Sequence, residues 1–175
     1  MSDITVRTSA AGAVKTVAAS AMPQSPDDLR AFDLTDPYQS AAAAICALAV
    51  FENDFETGFS MLDYVMGPAS PGPFDREFIK GQLRQYPYVM RAYFEGASVE
   101  NDYRPSSCAV TLRDDPYCRP ESGYFKLFAV NAGADSPRPL MLRKKGSTGE
   151  WFISSDSYKG MMAGIRKPKS EDPWA

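Results

Sequence analysis

Apolar residues recur at helical spacing in the first half of the chain, and this pattern predicts three helices. The first begins at Asp36 and Pro37, because aspartate is a good N-cap and proline suits the first helical position. The second is expected over residues 55–66, where Gly67 ends it, and the third over residues 74–86.

Beyond residue 107 the apolar period changes to two, which predicts strands. They are expected at residues 109–113, 124–130, 140–145 and 151–155. The tight GSTG turn joins the last two into a hairpin, and a short helix over residues 156–162 follows. Residues 88–94 fit both periods, and their alternation of apolar and polar positions favours a strand.

The order of these elements predicts an α+β fold. Helices followed by strands indicate one α+β domain over residues 30–175, with the N-terminal helices packed on a C-terminal antiparallel sheet. The cone-shaped NTF2-like fold is one architecture with this order, by analogy only. Residues 1–29 are expected to be a mobile N-terminal arm, since the first 26 hold almost no large apolar side chain.

Composition adds an uneven distribution of charge. The chain has 175 residues, a net charge of −3 and a hydrophobic fraction of 44%, which suits one globular domain and argues against nucleic acid as a partner. Residues 1–103 carry 7 Lys/Arg and 14 Asp/Glu, whereas residues 104–169 carry 12 and 6. Either the two halves compensate each other on packing, or the basic half presents a patch to an anionic ligand or partner.

The three cysteines are Cys46, Cys108 and Cys118. Their odd number and the lack of a CxxC spacing argue against a disulfide framework and against a zinc site. Cys108 and Cys118 could pair across neighbouring strands, but a reducing cytosol would keep them as thiols. No segment has about 18 uninterrupted apolar residues, so no membrane association is expected and the expected compartment is the cytoplasm.

The chain contains no histidine, which removes the usual general base near neutral pH and excludes Ser–His and Cys–His nucleophile pairs. Asp114 and Asp115 are adjacent carboxylates, but their position before Pro116 is typical of a turn. No catalytic residue, metal ligand or cofactor is therefore predicted, and enzyme activity is the less favoured reading.

The GADSPRP segment, residues 133–139, is the strongest single candidate for binding. Gly133 permits a positive φ, and Asp135 can hydrogen-bond nearby backbone amides. The two prolines hold Arg138 stiffly, which favours its grip on a carboxylate or phosphate. The alternative is a rigid connection whose arginine pairs internally with a carboxylate.

Basic residues cluster at the end of the third predicted strand. Alternation places Arg143 and Lys145 on one face of it and Lys144 on the other. Such a run is also typical of a solvated strand end or a guarded sheet edge. The candidate ligand-binding residues are Asp135, Arg138, Arg143, Lys145, Trp151 and Arg166.

Several segments resemble a family of bacterial proteins, a domain of unknown function associated with clostridial and related gut bacteria. They are DPYQSAAAAICAL, YFEGASVENDYRPS, GYFKLFAVNAGADSPRPLMLRKKGSTGEWF and GIRKPKSEDPWA. The similarity covers roughly residues 30–175, and the chain departs from it after Trp151, where FISSDSYKG replaces a more acidic and aromatic continuation. The resemblance implies a single domain and carries no activity, cofactor or catalytic residue.

The function itself cannot be named from these residues, and two classes remain. The favoured one is a non-catalytic binding or interaction domain that uses a basic sheet face and the Arg138 loop to hold an unknown protein or a small anionic ligand. The alternative is an NTF2-like small-ligand pocket or enzyme that uses Asp, Tyr or Arg. Near the C-terminus, Trp174 is expected to dock on the domain and order the tail, with a linear interaction motif as the alternative.

Overall fold

An antiparallel sheet in the order β1–β2–β3–β4–β5–β6 organises the protein in a computed structural model that describes residues 2–175. Its strands are β1 (Ile4–Thr8), β2 (Val14–Ala19), β3 (Cys108–Asp114), β4 (Tyr124–Ala129), β5 (Arg138–Lys144) and β6 (Trp151–Ile153). The helices are α1 (Pro26–Leu29), α2 (Pro37–Val50), α3 (Phe55–Met66), α4 (Pro73–Gln85) and α5 (Ser155–Met161). The fold class is α+β, as predicted.

The first two strands correct the expectation of a mobile arm. β1 and β2 form a hairpin, and β2 pairs with β3 along its whole length, from Val14 opposite Arg113 to Ala19 opposite Cys108. Val17 is 1% exposed and joins the core. β-Branched Val and Thr favour strands even without large side chains. The helices are therefore not simply N-terminal to the sheet, since two strands precede them and α5 follows β6.

The segment between α4 and β3 also differs from its prediction. Val89–Tyr93 is a short 3-10 helix, not a strand, and only Phe94 makes an isolated bridge to Val110. Its apolar side chains are nonetheless buried. Burial on several sides explains why a two-residue period was a poor guide here.

Helix α2 occupies the centre of the core. Asp36 caps it by accepting a hydrogen bond from the Tyr38 amide at 2.9 Å, which confirms the predicted start. Five of its six alanines are buried, and their small size lets the backbone approach the sheet closely. The inner face of the sheet supplies Leu127, Leu140 and Leu142, which are fully buried against the helices.

The outer edge of the sheet is short and partly covered. β6 pairs with only the last three residues of β5. Nearer the start of β5, residues at the beginning of α5 replace β6 as hydrogen-bond partners. Met141 donates its amide to the Ser157 hydroxyl at 2.7 Å and accepts from the Ser154 amide at 2.9 Å. These contacts satisfy backbone groups that an open edge would leave to other chains.

Candidate functional site

An open groove of about 510 Å³ lies where the end of α3 approaches the β5–β6 hairpin. Its lining combines basic, aromatic and small residues. They are Met66, Pro68, Ala69, Tyr124, Arg143, Lys144, Lys145, Phe152, Ile153, Ser154 and Ser155. We call this feature the basic groove.

Strand register builds the wall of the basic groove. Tyr124 of β4 lies opposite Arg143 of β5, and Arg143 lies opposite Phe152 of β6. Residues that are directly opposite in antiparallel strands share one face, so the three side chains form a row. The Arg143 guanidinium carbon is 5.9 Å from the centre of the Tyr124 ring. The result is a cation placed between two aromatic rings.

Gly67, at the end of α3, brings the opposite wall close to the row. A Cβ at this position would lie 2.6 Å from the Phe152 ring, and the φ of +56° also favours glycine. Gly67 is itself the first residue of the 3-10 turn that supplies Pro68 and Ala69. The close approach of helix end and ring therefore depends on the missing side chain.

The charges of the basic groove have no internal counterpart. Arg143, Lys144 and Lys145 are exposed, and none forms an ion pair with a carboxylate of residues 2–175. Other basic residues of the C-terminal half are paired with the acidic half, as Lys159 with Asp75 at 2.9 Å. The acidic and basic halves of the chain thus compensate each other's charge at some positions, but no such ion pair forms at the groove residues Arg143, Lys144 and Lys145 among residues 2–175.

Trp151, a predicted ligand contact, is placed differently. It points to the inner face, is 5% exposed and packs edge-to-face on Phe125 with ring centres 5.6 Å apart. The Lys144 ammonium lies 5.4 Å from its ring centre. Tyr124 and Phe152, which the sequence reasoning passed over, are the aromatic residues of the groove. The strand register that aligns them with Arg143 is the signal that identifies them.

Arg138 is the first residue of β5 and is engaged inside the protein. Its Nη2 donates to the carbonyl oxygens of Ala163 at 3.1 Å and Gly164 at 3.2 Å, just beyond the end of α5. Its Nε is buried without a hydrogen-bond partner among residues 2–175. Burial raises the pKa of the neighbouring Tyr93, and the charge of Arg138 partly opposes that shift. Arg138 therefore holds α5 to the sheet, through carbonyls and not through a carboxylate.

Asp135 and Arg166 form an ion pair with each other at the surface, on a different part of the protein from the basic groove. The turn that leads from β4 to Asp135 is organised by Asn131, whose side-chain oxygen accepts from the amides of Gly133 and Ala134. Gly133 does not have a positive φ. It is needed because a Cβ there would lie 2.5 Å from the Tyr103 hydroxyl.

The C-terminal tail is attached through its backbone up to Ser170. Lys169 donates its amide to the Val99 carbonyl at 3.0 Å, and Ser170 donates to Asp102 at 3.1 Å. Trp174 is 93% exposed, so the expectation that it docks on the domain is wrong. A ring this exposed gains little from burial within its own chain.

The fold and the groove together describe an α+β domain with a basic, aromatic-lined surface site. The chain belongs to the family of a domain of unknown function, DUF6935, whose profile matches residues 21–169. The match includes the whole basic groove and leaves out β1 and β2. No curated protein and no solved structure matches the chain. Among residues 2–175, no helix is both long and apolar enough to span a bilayer.

Proposed function

We propose that this domain is a non-catalytic binding module whose basic groove holds a small organic anion. The ligand carries a carboxylate or phosphate beside an aromatic or apolar portion. The observation that supports this is the set of three exposed basic side chains, Arg143, Lys144 and Lys145, that line one groove and have no ion-pair partner among the residues described.

The chemistry of the lining favours such a ligand. A guanidinium can bind a carboxylate or phosphate with two parallel hydrogen bonds, and lysines add positive charge without fixing the geometry. Tyr124 and Phe152 flank Arg143 and offer ring surfaces to an apolar portion. The volume of about 510 Å³ lies within the usual range of small-molecule sites, about 300–1,000 Å³.

The interior of the protein favours binding over the enzyme alternative. Apolar side chains fill the space between the helices and the sheet, where an NTF2-like pocket would lie. Burial raises the pKa of Tyr158, and this phenol lies in the core and outside the groove lining.

The proposal includes the architecture: helices that pack against one face of an antiparallel sheet are NTF2-like in this broad sense. Three free thiols support a cytoplasmic setting.

The test is a calorimetric titration of the full chain with phenyl phosphate and with benzylammonium, two probes of similar shape and opposite charge. We expect saturable binding of phenyl phosphate only, weakening as salt is raised because exposed charges are screened. The double variant Arg143→Gln, Lys145→Gln removes two charges from the groove. It should bind phenyl phosphate about tenfold more weakly, at roughly 0.7 kcal/mol per exposed charge.

The matched control is Arg119→Gln, Lys167→Gln, which removes two exposed charges elsewhere and leaves the net charge equal to that of the groove variant. It should bind as the wild type does. Equal loss of affinity in both double variants would mean that the anion responds to overall charge. Equal affinity for both probes would refute the anionic ligand class.

A further inference from the structure

Two cysteines from distant parts of the chain meet beneath the sheet. Cys46 of α2 and Cys108 of β3 have their sulfur atoms 3.8 Å apart. The Met22 sulfur lies 3.7 Å from that of Cys108. Cys118, which was considered as a pairing partner of Cys108 on sequence grounds, lies elsewhere and accepts from the Lys126 amide at 3.4 Å. The thiol arrangement therefore differs from the pairing considered on sequence grounds.

The two thiols are not equivalent. Cys46 is 2% exposed, and its hydrogen bond to Cys108, together with burial, raises its pKa. The same hydrogen bond, with a backbone one near Ala19, lowers the pKa of the Cys108 thiol against the effect of its own burial. Because the thiolate is the nucleophile, we expect the Cys108 sulfur to react before that of Cys46.

Cys108 is also the more accessible of the two, since it is half-buried. A small cavity of about 160 Å³ lies next to this region and is lined by Met22, Ala49 and Phe94, among others. Met22 both lines that cavity and contacts the Cys108 sulfur. Hydrogen peroxide is small enough for a space of this size and would reach Cys108 past the Met22 side chain, whereas Cys46 is 2% exposed.

We propose that Cys46 and Cys108 are a redox modification site that forms a reversible disulfide when the protein meets hydrogen peroxide. The Cys108 thiolate attacks one peroxide oxygen, the O–O bond breaks, and the departing hydroxide takes a proton to become water. Cys108 is now a sulfenic acid. The Cys46 sulfur then attacks it, the S–O bond breaks, and the hydroxide leaves with the Cys46 proton as a second water.

The geometry makes this second step short. A disulfide bond is about 2.0 Å long, so the sulfurs must approach by about 1.8 Å from their present separation. One sulfur belongs to the central helix and the other to a central strand, so the bond would link the helical layer to the sheet. A thiol reductant returns both cysteines to the free state.

The test treats the full chain with hydrogen peroxide, counts thiols with a maleimide after denaturation, and maps peptides without reduction. Wild type should fall from three free thiols to one, yield a peptide that joins Cys46 to Cys108, and recover all three with dithiothreitol. Cys118→Ser is the matched control and should form the same bond. Peptides that join Cys118 to either residue, or three thiols remaining, would overturn the proposal.

Two further variants separate the steps. Cys46→Ser should stop at the sulfenic acid of Cys108, which dimedone traps as an adduct, whereas Cys108→Ser should leave Cys46 unreacted. If Cys46→Ser does not fold, the wild-type peptide map still decides the question. Conversion of wild-type Cys108 to a sulfinic acid without the Cys46 link would contradict a resolving role for Cys46.

Discussion

The position of Arg138 leads to a prediction that separates structure from binding. The sequence makes Arg138 a candidate ligand contact, with internal pairing as the alternative, and its guanidinium donates to the carbonyls of Ala163 and Gly164 at 3.1 and 3.2 Å. We therefore expect Arg138→Met to destabilise the protein while leaving the affinity for phenyl phosphate unchanged. Methionine keeps much of the apolar stem of arginine and removes only the donors.

The magnitude follows from the two hydrogen bonds. A bond from a charged donor contributes roughly 1.5–3 kcal/mol, and partial exposure of Arg138 lets water recover part of the loss. We expect a decrease of about 2 kcal/mol in the free energy of unfolding. At about 2 kcal/mol per molar for the urea dependence, the midpoint falls by about 1 M. The melting temperature falls by about 4–8 °C.

The assay is urea unfolding followed by tryptophan fluorescence, with Arg143→Met as the matched control. Arg143 lies on the same strand, but its side chain is exposed and makes no hydrogen bond to any of residues 2–175. Its change in unfolding free energy should stay within about 0.5 kcal/mol. An unchanged midpoint for Arg138→Met, together with weaker phenyl phosphate binding, would refute the structural role.

Three further predictions concern other positions. Gly67→Ala should lower the free energy of unfolding, measured by thermal unfolding, by at least about 1–2 kcal/mol, because a Cβ would lie 2.6 Å from the Phe152 ring and φ is +56°. Gly146→Ala is the control and should leave the stability nearly unchanged, because a Cβ there meets open space. Asp75→Asn should destabilise the protein at pH 7, since a hydrogen bond from Lys159 lowers the Asp75 pKa below 3.8. The stabilisation from the ionised carboxylate exists above pH 3.8 and is lost as the pH falls through the folded-state pKa. The urea midpoints of the variant and the wild type should therefore converge in acid. Trp174→Ala should melt within about 0.5 kcal/mol of wild type, and a larger loss would mean that the ring docks.

The sequence predicted the elements that have strong local signals. Asp36 with Pro37 marked the start of α2, and the glycine after Met66 marked the end of α3. The GSTG turn marked the β5–β6 hairpin. Each of these signals acts within a few residues, through a cap, a left-handed backbone or a tight turn. Its effect therefore does not depend on contacts with distant parts of the chain.

The errors arose where distant contacts decide the structure. β1 and β2 consist of small and β-branched residues whose pairing with β3 orders them, and no local measure of hydrophobicity reveals that partner. Alternation of Ile4 and Val6, with Gly12 in the turn at a φ of +75°, was the available signal. The contact between Cys46 and Cys108 could not be predicted for the same reason, because the two residues are 62 positions apart in the chain and only the packing of α2 on β3 brings them together.

The candidate site was predicted in part. The basic run at Arg143 and Lys145 was found from its position at the end of a predicted strand, and both residues line the groove. Its aromatic neighbours depend on the register of three strands, which a single sequence leaves open. The internal partners of Arg138 could not be predicted because they are main-chain carbonyls, which every residue type carries.

The most direct test of the basic groove is a 15N chemical-shift map of the full chain titrated with phenyl phosphate. The amide shifts should saturate along one curve and be largest at Tyr124, Arg143 and Phe152, the row that crosses three strands. Shifts that do not saturate, or that centre on the Asp135–Arg166 pair instead, would contradict anion binding in the groove.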